Sequence, residues 1–349
     1  MTEKFFHKPW ANHKNKNCTF ELLFSVFMNT FGKLFRVNIF GESHGLCTGV
    51  CIDGCPPGIA LSGTDFDSDL ARRRSGNRGT TPRAEADIPK IMTGVFNGFT
   101  TGAPLMILFD NTNTRSGDYS QFTEIPRPGH ADFVTGVKYR GFADHRGGGH
   151  FSGRITVGLV AAGVVAKKIL APATVTAYIC EIGGSAQWDE KIENCIAEGD
   201  SAGGIVECVV EGIPAGWGEP FFDSVESVIG HIVFAIPGIK GIEFGAGFAS
   251  AKMQGSDHND PFISIAGKTA TNHAGGINGG IANGNPVIFR VAVKPASSIA
   301  QPQETINIRT GRMATLEIQG RHDACIALRM PPVLEAATAI ALADLKLQL

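Results

Sequence analysis

The segment that most restricts the fold lies at 152–170, where Ala, Gly and Val dominate. A helix that is apolar on every side must be covered by other elements, because an exposed face would leave hydrophobic area in water. No apolar run approaches the roughly 18 residues that span a bilayer. With 43% hydrophobic and only 18% charged residues, the chain can build a large core. The sequence therefore predicts a layered protein with a buried helix.

Strands are predicted on both sides of this helix. Phe35, Val37 and Ile39 alternate with polar residues, which is typical of a half-buried strand. A second strand, at 48–53, ends at a Pro-Pro-Gly turn. Further strands are predicted at 174–182, 205–211, 240–251 and 286–294.

Helices follow two of these strands. Thr64 is the predicted N-cap of a helix that ends near Arg74. A second helix is predicted at 221–235 and a third at 332–347. The order of strand, Pro-containing turn, helix and strands occurs twice, which indicates a weak internal duplication. We therefore predict an α+β fold with the helices between or outside the sheets.

Three of the eight cysteines, Cys47, Cys51 and Cys55, are spaced four residues apart. In an extended strand they share one face. A zinc site is the less favoured interpretation, because the sequence has no CxxC pair, and small buried hydrophobic residues are favoured. We predict no metal. The cysteine spacing indicates no disulfide framework, so a cytoplasmic location is expected.

Two loops carry histidines in settings that favour acid–base chemistry. GESHG follows the first strand and places Ser43 and His44 between glycines, which permit a sharp turn close to a ligand. RPGHAD places His130 after a Pro-Gly turn. Histidine is the side chain best suited to exchange protons near neutral pH. Asp132 is expected either to orient an imidazole or to cap the next helix.

The segment ARRRSGNRGTTPR contains five arginines, Arg72, Arg73, Arg74, Arg78 and Arg83. Guanidinium groups this close repel one another unless anions lie between them, and Arg binds phosphate or carboxylate in a bidentate manner. The alternative is that they complete a helix C-terminus and a solvated loop. A net charge of −2 favours a local anion site over a nucleic-acid surface.

Glycine-rich loops supply further groups that bind anions. RGGGHFSGR leads to Ser152 at the start of the long helix, where backbone N–H groups favour an anion. NHAGGINGGIANG leads into a late strand. Nearby loops add Lys294, Ser297, Ser298, Arg321, His322 and Asp323. These groups predict a phosphate-bearing small-molecule substrate and acid catalysis of phosphate departure. They do not suit a glycosidase, which needs a carboxylate pair.

Together these segments resemble the chorismate synthase family. The matching stretches, in family order, are FGKLFRVNIFGESHG, DGCPPG, DLARRRSG, TTGAPL, NTRSGDYS, RPGHADFVTGVKY, RGGGHFSGR, NHAGGINGG, VKPASSI and GRHDAC. They begin near Met28, so 1–27 is an extension without a counterpart, and 28–349 is expected to be one catalytic domain. The resemblance implies a βαβ sandwich and a homotetramer.

The resemblance also implies the chemistry. The reaction is a 1,4-elimination that converts 5-enolpyruvylshikimate 3-phosphate to chorismate and phosphate, the last step of the shikimate pathway. It requires reduced FMN without net redox change, and NADPH is a possible reductant. By analogy, His44 lies near the flavin and keeps it suitably protonated. His130 protonates the departing phosphate, and Asp323 relays a proton near flavin N5.

Binding positions follow from the same resemblance. Flavin contacts map onto His150, Phe151, Ser152, Lys252, Met253, Gly279, Lys294, Pro295, Ala296, Ser297, Ser298 and Arg321. Ser43, Arg73 and Arg78 match positions linked to substrate or NADP. Many members have an Arg and two serines where this chain has His150, Phe151 and Ser152. This departure makes one flavin-facing cation titratable or removes it.

Two other classes of protein remain as alternatives. A non-catalytic protein that binds flavin or a phosphometabolite would keep the Gly and Arg loops without needing His44, His130 and Asp323. A nucleic-acid-binding protein would use the Arg run, but the net charge disfavours it. The extension 1–27 lacks a signal-peptide cleavage site and is expected to be poorly ordered or non-native. Neither a membrane nor a nucleic acid is expected as a partner.

Overall fold

The computed structural model describes residues 29–81, 85–113, 116–318 and 322–349. The predictions for 1–27, Arg83 and Arg321 lie outside these residues. In chain order, strands β1 to β15 span Thr30–Phe31, Arg36–Gly41, Cys47–Asp53, Lys90–Thr93, Val95–Phe96, Phe99–Thr100, Leu105–Asp110, Thr174–Ile182, Gly204–Glu211, Ile239–Phe244, Ile277–Asn278, Ile281–Ala282, Val287–Val293, Gln303–Asn307 and Arg312–Leu316. Helices α1 to α7 span Asp67–Arg73, Asp132–Lys138, Thr156–Leu170, Asp189–Glu198, Val225–Val233, Gly255–His258 and Pro331–Leu347.

Two antiparallel sheets form the outer layers. One has the strand order β1-β2-β3-β7-β4, and the other has the order β10-β13-β9-β8. Helix α3 packs on β2, β3 and β7, whereas α7 packs on β8 and β9. The two helices also pack against each other. The predicted sandwich is therefore confirmed, and these helices lie between the sheets.

Small residues in α3 permit this close packing. A Cβ atom at Gly163 would lie 2.3 Å from the Cβ of Ala336 in α7. A Cβ atom at Gly158 would lie 2.7 Å from the carbonyl oxygen of Gly49 in β3. Larger side chains would force the layers apart and open cavities in the core. The Ala- and Gly-rich sequence of α3 is therefore what lets one helix contact both neighbouring layers.

Helix α7 is buried continuously from Pro332 to Leu345 and encloses a charged side chain. Glu335 accepts hydrogen bonds from Arg72 at 2.6 and 2.8 Å, from Lys167 at 2.8 Å and from the N–H of Ala177 at 3.0 Å. Burial opposes ionisation of this carboxyl, but the hydrogen bonds of Arg72 and the charge of Lys167 hold its pKa below the usual range. Arg72 is therefore bound by a protein carboxylate and stabilises the fold.

A second buried carboxylate, Asp344, joins the end of α7 to the chain that enters β2. Its Oδ1 accepts the backbone N–H groups of Lys33 at 2.9 Å, Leu34 at 2.7 Å and Phe35 at 2.8 Å. Asp344 is only 3% exposed. These donors lose their acceptor if the carboxylate is removed, and buried unpaired N–H groups are costly.

Asp344→Ala is expected to lower the free energy of unfolding by about 2–4 kcal/mol, because hydrogen bonds to a charged acceptor are lost. Asp344→Asn keeps one acceptor oxygen and should lose less. Denaturant unfolding of the three proteins measures the difference. Equal midpoints for the wild type and Asp344→Ala would contradict this function of the carboxylate.

The first predicted helix start is wrong by two residues. The cap is Ser62, whose N–H donates to the Asp65 carboxylate at 2.7 Å, and a 3₁₀ turn at Gly63–Phe66 leads into α1. Thr64 lies inside that turn. The reciprocal Ser–Asp pair satisfies the first N–H groups earlier than Thr64 could.

Two later boundaries also differ from the predictions. The strand predicted at 240–251 ends at Phe244, because Gly245 and Gly247 have positive φ and turn the chain. Helix α5 begins at Val225 instead of 221, since the Ser224 Oγ accepts the N–H of Ser227 at 3.0 Å. The short helix α4 was not predicted.

Candidate active site

A cavity of about 930 Å³ lies between the two sheets and collects many of the predicted site residues. One part is apolar and includes Phe31, Leu159 and Val333. The charged lining residues are Arg73, Arg74, Glu85, Asp87, Arg154, Lys240, Lys294, Asp323 and Arg329. Basic residues outnumber acidic ones in this set, which suits a phosphate-bearing ligand. A cavity of this size can enclose a cofactor and a small substrate together.

His130 lines the cavity and is held by a carboxylate. Its Nδ1 lies 2.7 Å from Oδ1 of Asp132 and 3.1 Å from NH2 of Arg127. A guanidinium only donates, so the two contacts require different tautomers of the imidazole. We assign the hydrogen on Nδ1 to the hydrogen bond with the Asp132 carboxylate, because that contact is shorter and a charged acceptor makes the stronger hydrogen bond. Nε2 is then the nitrogen that can exchange a proton with a ligand.

Arg127 organises this pair. It binds Asp132 through Nε at 2.8 Å and NH2 at 2.7 Å, and its NH1 donates to the Ser298 Oγ at 3.0 Å. Its guanidinium lies 4.3 Å from the centre of the Phe122 ring. Burial opposes ionisation of Asp132, but hydrogen bonds from Arg127 and His130 hold the pKa of its carboxyl well below the usual range. Asp132 therefore stays ionised beside the imidazole at neutral pH.

Three consecutive glycines pass between the two predicted histidines. Gly147, Gly148 and Gly149 all have positive φ, which disfavours other residues. A Cβ atom at Gly147 would lie 2.6 Å from Nε2 of His44, and one at Gly148 would lie 3.7 Å from Nε2 of His130. The glycine run therefore brings the GESHG and RPGHAD loops together without filling the space between them.

His44 and Ser43 lie behind this glycine run and outside the cavity lining. His44 is 7% exposed, and its ring meets Tyr119 edge-on with centroids 5.1 Å apart. The Ser43 N–H donates to the Gly149 carbonyl at 3.0 Å. Its Oγ is buried and has no hydrogen-bond partner among the described residues. Such an atom is expected to find a partner in a ligand or a water.

The segment after the glycines lies along the cavity. The Nδ1 of His150 is 2.8 Å from the carbonyl oxygen of Gly41, so it donates there and leaves Nε2 for the cavity. Phe151 and Ser152 also line the cavity. The Ser152 Oγ accepts the N–H of Arg154 at 3.3 Å and caps the helical turn that leads into α3.

The arginine cluster is divided among several protein carboxylates. Arg73 is 2% exposed and binds Asp87 at 2.9 Å. Burial lowers the pKa of the Arg73 guanidinium to about 9, which leaves it charged at neutral pH. Arg74 lines the cavity, and its buried Nε has no hydrogen-bond partner among the described atoms. Arg78 is exposed and pairs with Glu193. Of these arginines, Arg74 is best placed for a ligand anion.

Asp323 reaches the cavity from the C-terminal side. Its Oδ1 accepts the N–H of Thr81 at 2.8 Å and lies 3.8 Å from NH1 of Arg329. His322 also lines the cavity, and burial lowers the pKa of its imidazole. Asp323 is therefore fixed beside the segment that carries the arginines.

The loop after β13 completes the wall near His130. The Lys294 Nζ donates to the Gly129 carbonyl at 2.6 Å and to the Ser297 Oγ at 2.7 Å. Burial, and then the nearby charge of Lys240, lower the pKa of the Lys294 ammonium. Ala296 and Ser298 also line the cavity. This loop and the RPGHAD loop are thus joined by direct hydrogen bonds.

Some predicted residues lie apart from this cavity. Pro295, Lys252, Met253, Gly279 and Arg78 are not among its lining residues. Within the described residues, no group of three His, Cys, Asp or Glu side chains is arranged to hold a metal ion. Cys47 and Cys51 are half-buried and Cys55 is buried. No helix in the described part of the chain has the length and hydrophobicity of a membrane span.

Sequence reasoning missed several cavity residues. Asp87, Arg154, Lys240 and Arg329 line the cavity but were not assigned a role. Arg154 ends the RGGGHFSGR motif, so its position in a glycine-rich loop was an available signal. Asp87 has φ of 48°, which is unusual for a residue with a side chain. Nothing in the local sequence distinguishes Arg329 from other surface arginines.

Comparisons with known proteins identify one family. A sequence model of the chorismate synthase family matches residues 35–347. A chorismate synthase from Chitinophaga pinensis is 63% identical over 321 residues, which cover 92% of this chain and 97% of that protein. The chain belongs to the chorismate synthase family.

More distant family members are similar over the same extent. The chorismate synthase of Dehalococcoides mccartyi is 45% identical, with 92% of this chain and 97% of that protein covered. That of Methanosarcina mazei is 43% identical, with 90% and 95% covered. A crystal structure of a chorismate synthase has a TM-score of 0.68 at 24% identity and covers 91% of this chain and 93% of its own, which shows the shared fold.

Proposed function

We propose that the chain catalyses the 1,4-elimination that converts 5-enolpyruvylshikimate 3-phosphate to chorismate and phosphate, as a carbon–oxygen lyase. The observation that carries this proposal is the His130–Asp132 pair at the edge of a cavity whose charged lining side chains are mostly basic. A phosphate leaves more readily when it is protonated, and a positioned imidazole is suited to donate that proton. The family membership gives this geometry a specific reaction.

Reduced FMN fits the residues of this site. The unpartnered Oγ of Ser43 needs a polar partner, and the cavity on the other side of the glycine run is lined by polar groups of His150, Ser152 and Lys294. The residues proposed to hold the flavin are His150, Phe151, Ser152, Lys294, Pro295, Ala296, Ser297 and Ser298, together with Lys252, Met253, Gly279 and Arg321. When bound, the flavin supplies a transient electron or hydrogen that assists C–O cleavage and loss of the C–H proton.

The proton chemistry is proposed to belong to His130. The Asp132 carboxylate fixes the tautomer and stabilises the imidazolium, so that Nε2 carries the proton given to the leaving phosphate. Basic side chains such as Arg74 and Lys294 would bind the substrate anions and neutralise the charge that develops on the phosphate. Arg73 is committed to Asp87 and would act mainly by shaping this wall.

The remaining assigned groups are proposed to act around the flavin. His44, behind the glycine run, would keep the bound cofactor suitably protonated. Asp323, fixed by Thr81 and close to Arg329, would relay a proton beside it. Of the three positions linked to substrate or NADP, Ser43 would contact a bound molecule through its unpartnered Oγ. Arg73 is bound by Asp87, and Arg78 pairs with Glu193 outside the cavity lining, so a contact from either would require it to leave its carboxylate. The apolar part of the cavity would keep water from the reacting groups.

The oligomeric state and location are part of the proposal. Phe222, Phe248 and Ile265 are more than four-fifths exposed, and subunit contacts would bury such side chains if they belong to contiguous apolar surface. A homotetramer in the cytoplasm would bury such residues. We propose no nucleic-acid or membrane partner, and we propose that 28–349 forms one catalytic domain.

A non-catalytic protein that binds flavin or phosphometabolites is the alternative on the same scaffold. Such a protein has no need for a carboxylate-held imidazole beside the cavity. The contact of 2.7 Å between His130 and Asp132 therefore favours the enzyme.

The proposal is tested by anaerobic incubation with 5-enolpyruvylshikimate 3-phosphate and photoreduced FMN. Chorismate and phosphate should form in equal amounts. A parallel reaction with oxidised FMN and NADPH determines whether the chain reduces its own flavin, and we expect it to need an external source. Flavin binding without product formation would support the non-catalytic alternative.

Deletion of 1–27 is expected to leave turnover and the unfolding midpoint unchanged. The family match begins at residue 35, and the predicted site residues all follow it. The truncated protein starting at Met28 is compared with the full chain in the same anaerobic assay. A loss of turnover greater than about tenfold, or about 1.4 kcal/mol, would show that the extension takes part in folding or function.

A further inference from the structure

The GESHG loop carries His44 and is held partly through its backbone. Between β2 and β3, the N–H of Gly45 donates to the Glu42 carbonyl at 3.0 Å. The Ser43 N–H reaches across to Gly149 at 3.0 Å. A neighbouring side chain adds further hydrogen bonds to the carbonyls of this loop.

Asn111 supplies those bonds. It directly follows β7, which pairs with β3, so strand pairing brings it beside the start of β3. Its Nδ2 donates to the carbonyls of Glu42 at 2.9 Å and Gly45 at 3.0 Å. Its backbone N–H donates to the Leu46 carbonyl at 3.3 Å. One residue therefore contacts the loop at three carbonyls.

The oxygen of the Asn111 side-chain amide fixes the orientation of that amide. Its Oδ1 accepts a hydrogen bond from Nε of Arg154 at 3.0 Å. Because a guanidinium can only donate and a carbonyl can only accept, the oxygen must face Arg154 and the nitrogen must face the loop. Both amide hydrogens and the oxygen are used, so the side chain has one favoured orientation.

The hydrogen bonds from Asn111 to the loop carbonyls are called the clamp below. Arg154 connects this clamp to the cavity wall. It is 8% exposed, its NH2 donates to the Asp110 carbonyl at 3.2 Å, and its NH1 pairs with Asp87. Asp87 also binds Arg73 at 2.9 Å. The loop of His44 and the basic wall at the start of α3 therefore share one hydrogen-bonded network.

His44 is tightly packed against Gly147. A Cβ atom at Gly147 would lie 2.5 Å from Cδ2 of His44 and 2.8 Å from the Ser43 Oγ. A shift of the loop by a few tenths of an ångström would therefore change the contact between the His44 ring and Gly147. Small displacements of a reacting group are costly in catalysis.

We propose that Asn111 is a positioning residue for His44, acting by holding the GESHG loop through the Glu42 and Gly45 carbonyls. It does not line the cavity and touches no reacting atom. The role of His44 in turnover rests on the function proposed above, whereas the clamp on the loop does not.

Asn111→Asp provides the sharpest variant. The carboxylate still accepts from Arg154 but has no N–H to donate to the two carbonyls. We expect kcat to fall about 10- to 100-fold with KM for 5-enolpyruvylshikimate 3-phosphate within about twofold of the wild type. Asn111→Ala, which loses both sets of bonds, should lower kcat at least as much.

Asn307→Asp is the matched control. The Asn307 Oδ1 accepts hydrogen bonds from the N–H groups of Arg309 and Thr310, at 3.0 Å each. An aspartate at this position keeps both bonds. It lies in the β14–β15 hairpin, outside the cavity lining. Its kcat should remain within about twofold of the wild type. If Asn307→Asp lost as much kcat as Asn111→Asp, the added charge would explain the effect, and the proposal would be overturned.

A double-mutant cycle with His44→Ala tests whether Asn111 affects turnover through His44. If Asn111 acts through His44, Asn111→Asp should lower kcat by less than about twofold further in the His44→Ala background. Multiplicative losses would overturn the proposal.

Hydrogen exchange followed by mass spectrometry tests the clamp without any activity. Amides at 42–46 should exchange faster in Asn111→Asp, whereas those at 333–347 in α7 should be unchanged. If the wild type has no lyase activity but the loop exchanges faster, the proposed function fails and the clamp stands. Unchanged exchange at 42–46 would overturn the clamp itself.

Discussion

His130→Ala is expected to lower kcat by about 10²–10⁴-fold, the usual contribution of a positioned general acid. The imidazole is held by Asp132 at 2.7 Å and lines the cavity, and no other histidine there has a carboxylate at such a distance among the described residues. Without it, phosphate must leave as a more highly charged anion. The fold should persist, because the His130 side chain is 22% exposed and lies at the cavity edge.

This prediction is checked by anaerobic phosphate release with saturating reduced FMN, together with thermal unfolding. His145→Ala is the control, because His145 is exposed, lies in the neighbouring loop and does not line the cavity. The control should turn over normally. Wild-type turnover in His130→Ala would remove this residue from the mechanism and leave phosphate departure without its proposed acid.

Turnover is expected to fall to background when reduced FMN is withheld. The side chains around the cavity offer proton transfer and charge neutralisation, and these assist departure of phosphate. They do not activate the C–H bond from which the second proton leaves, and the family's cofactor is proposed to supply that chemistry. The expected effect is therefore a loss of the reaction and not a change in substrate affinity.

The measurement compares reduced FMN, oxidised FMN and no flavin at one substrate concentration under anaerobic conditions. Chorismate should form only with the reduced form. Fluorescence quenching of oxidised FMN provides a binding readout that does not depend on activity. Equal turnover with and without flavin would contradict the proposed reaction, even though the family membership would stand.

Periodic patterns predicted the main elements because their cause is local. Val37 and Ile39 alternate with polar neighbours, and both lie in β2, which begins one residue after Phe35. The strands predicted at 174–182 and 286–294 correspond to β8 and β13. The strand predicted to reach 251 failed at Phe244, where positive φ at two glycines ends pairing. Such backbone angles depend on the packed surroundings as well as on residue type.

The candidate site was predicted unevenly for the same reason. His130 and Asp132 are two residues apart, so their contact could be anticipated from the sequence. The links from Arg154 to Asp87 and to Asn111 join residues 67 and 43 positions apart. No pattern within one segment encodes such contacts, and each depends on how the sheet and α3 pack.

The sequence by itself determined the buried helix, the strands β2, β3, β8, β9 and β13, the two histidine loops and the family. These follow from residue type and short spacing, which act through local backbone preference and hydrophobic periodicity. Only the tertiary structure decided that the helices lie between the sheets and which arginines are bound by protein carboxylates. It also brought Asn111 to the loop of His44. Such contacts arise from close packing of distant segments, and the sequence does not display that packing.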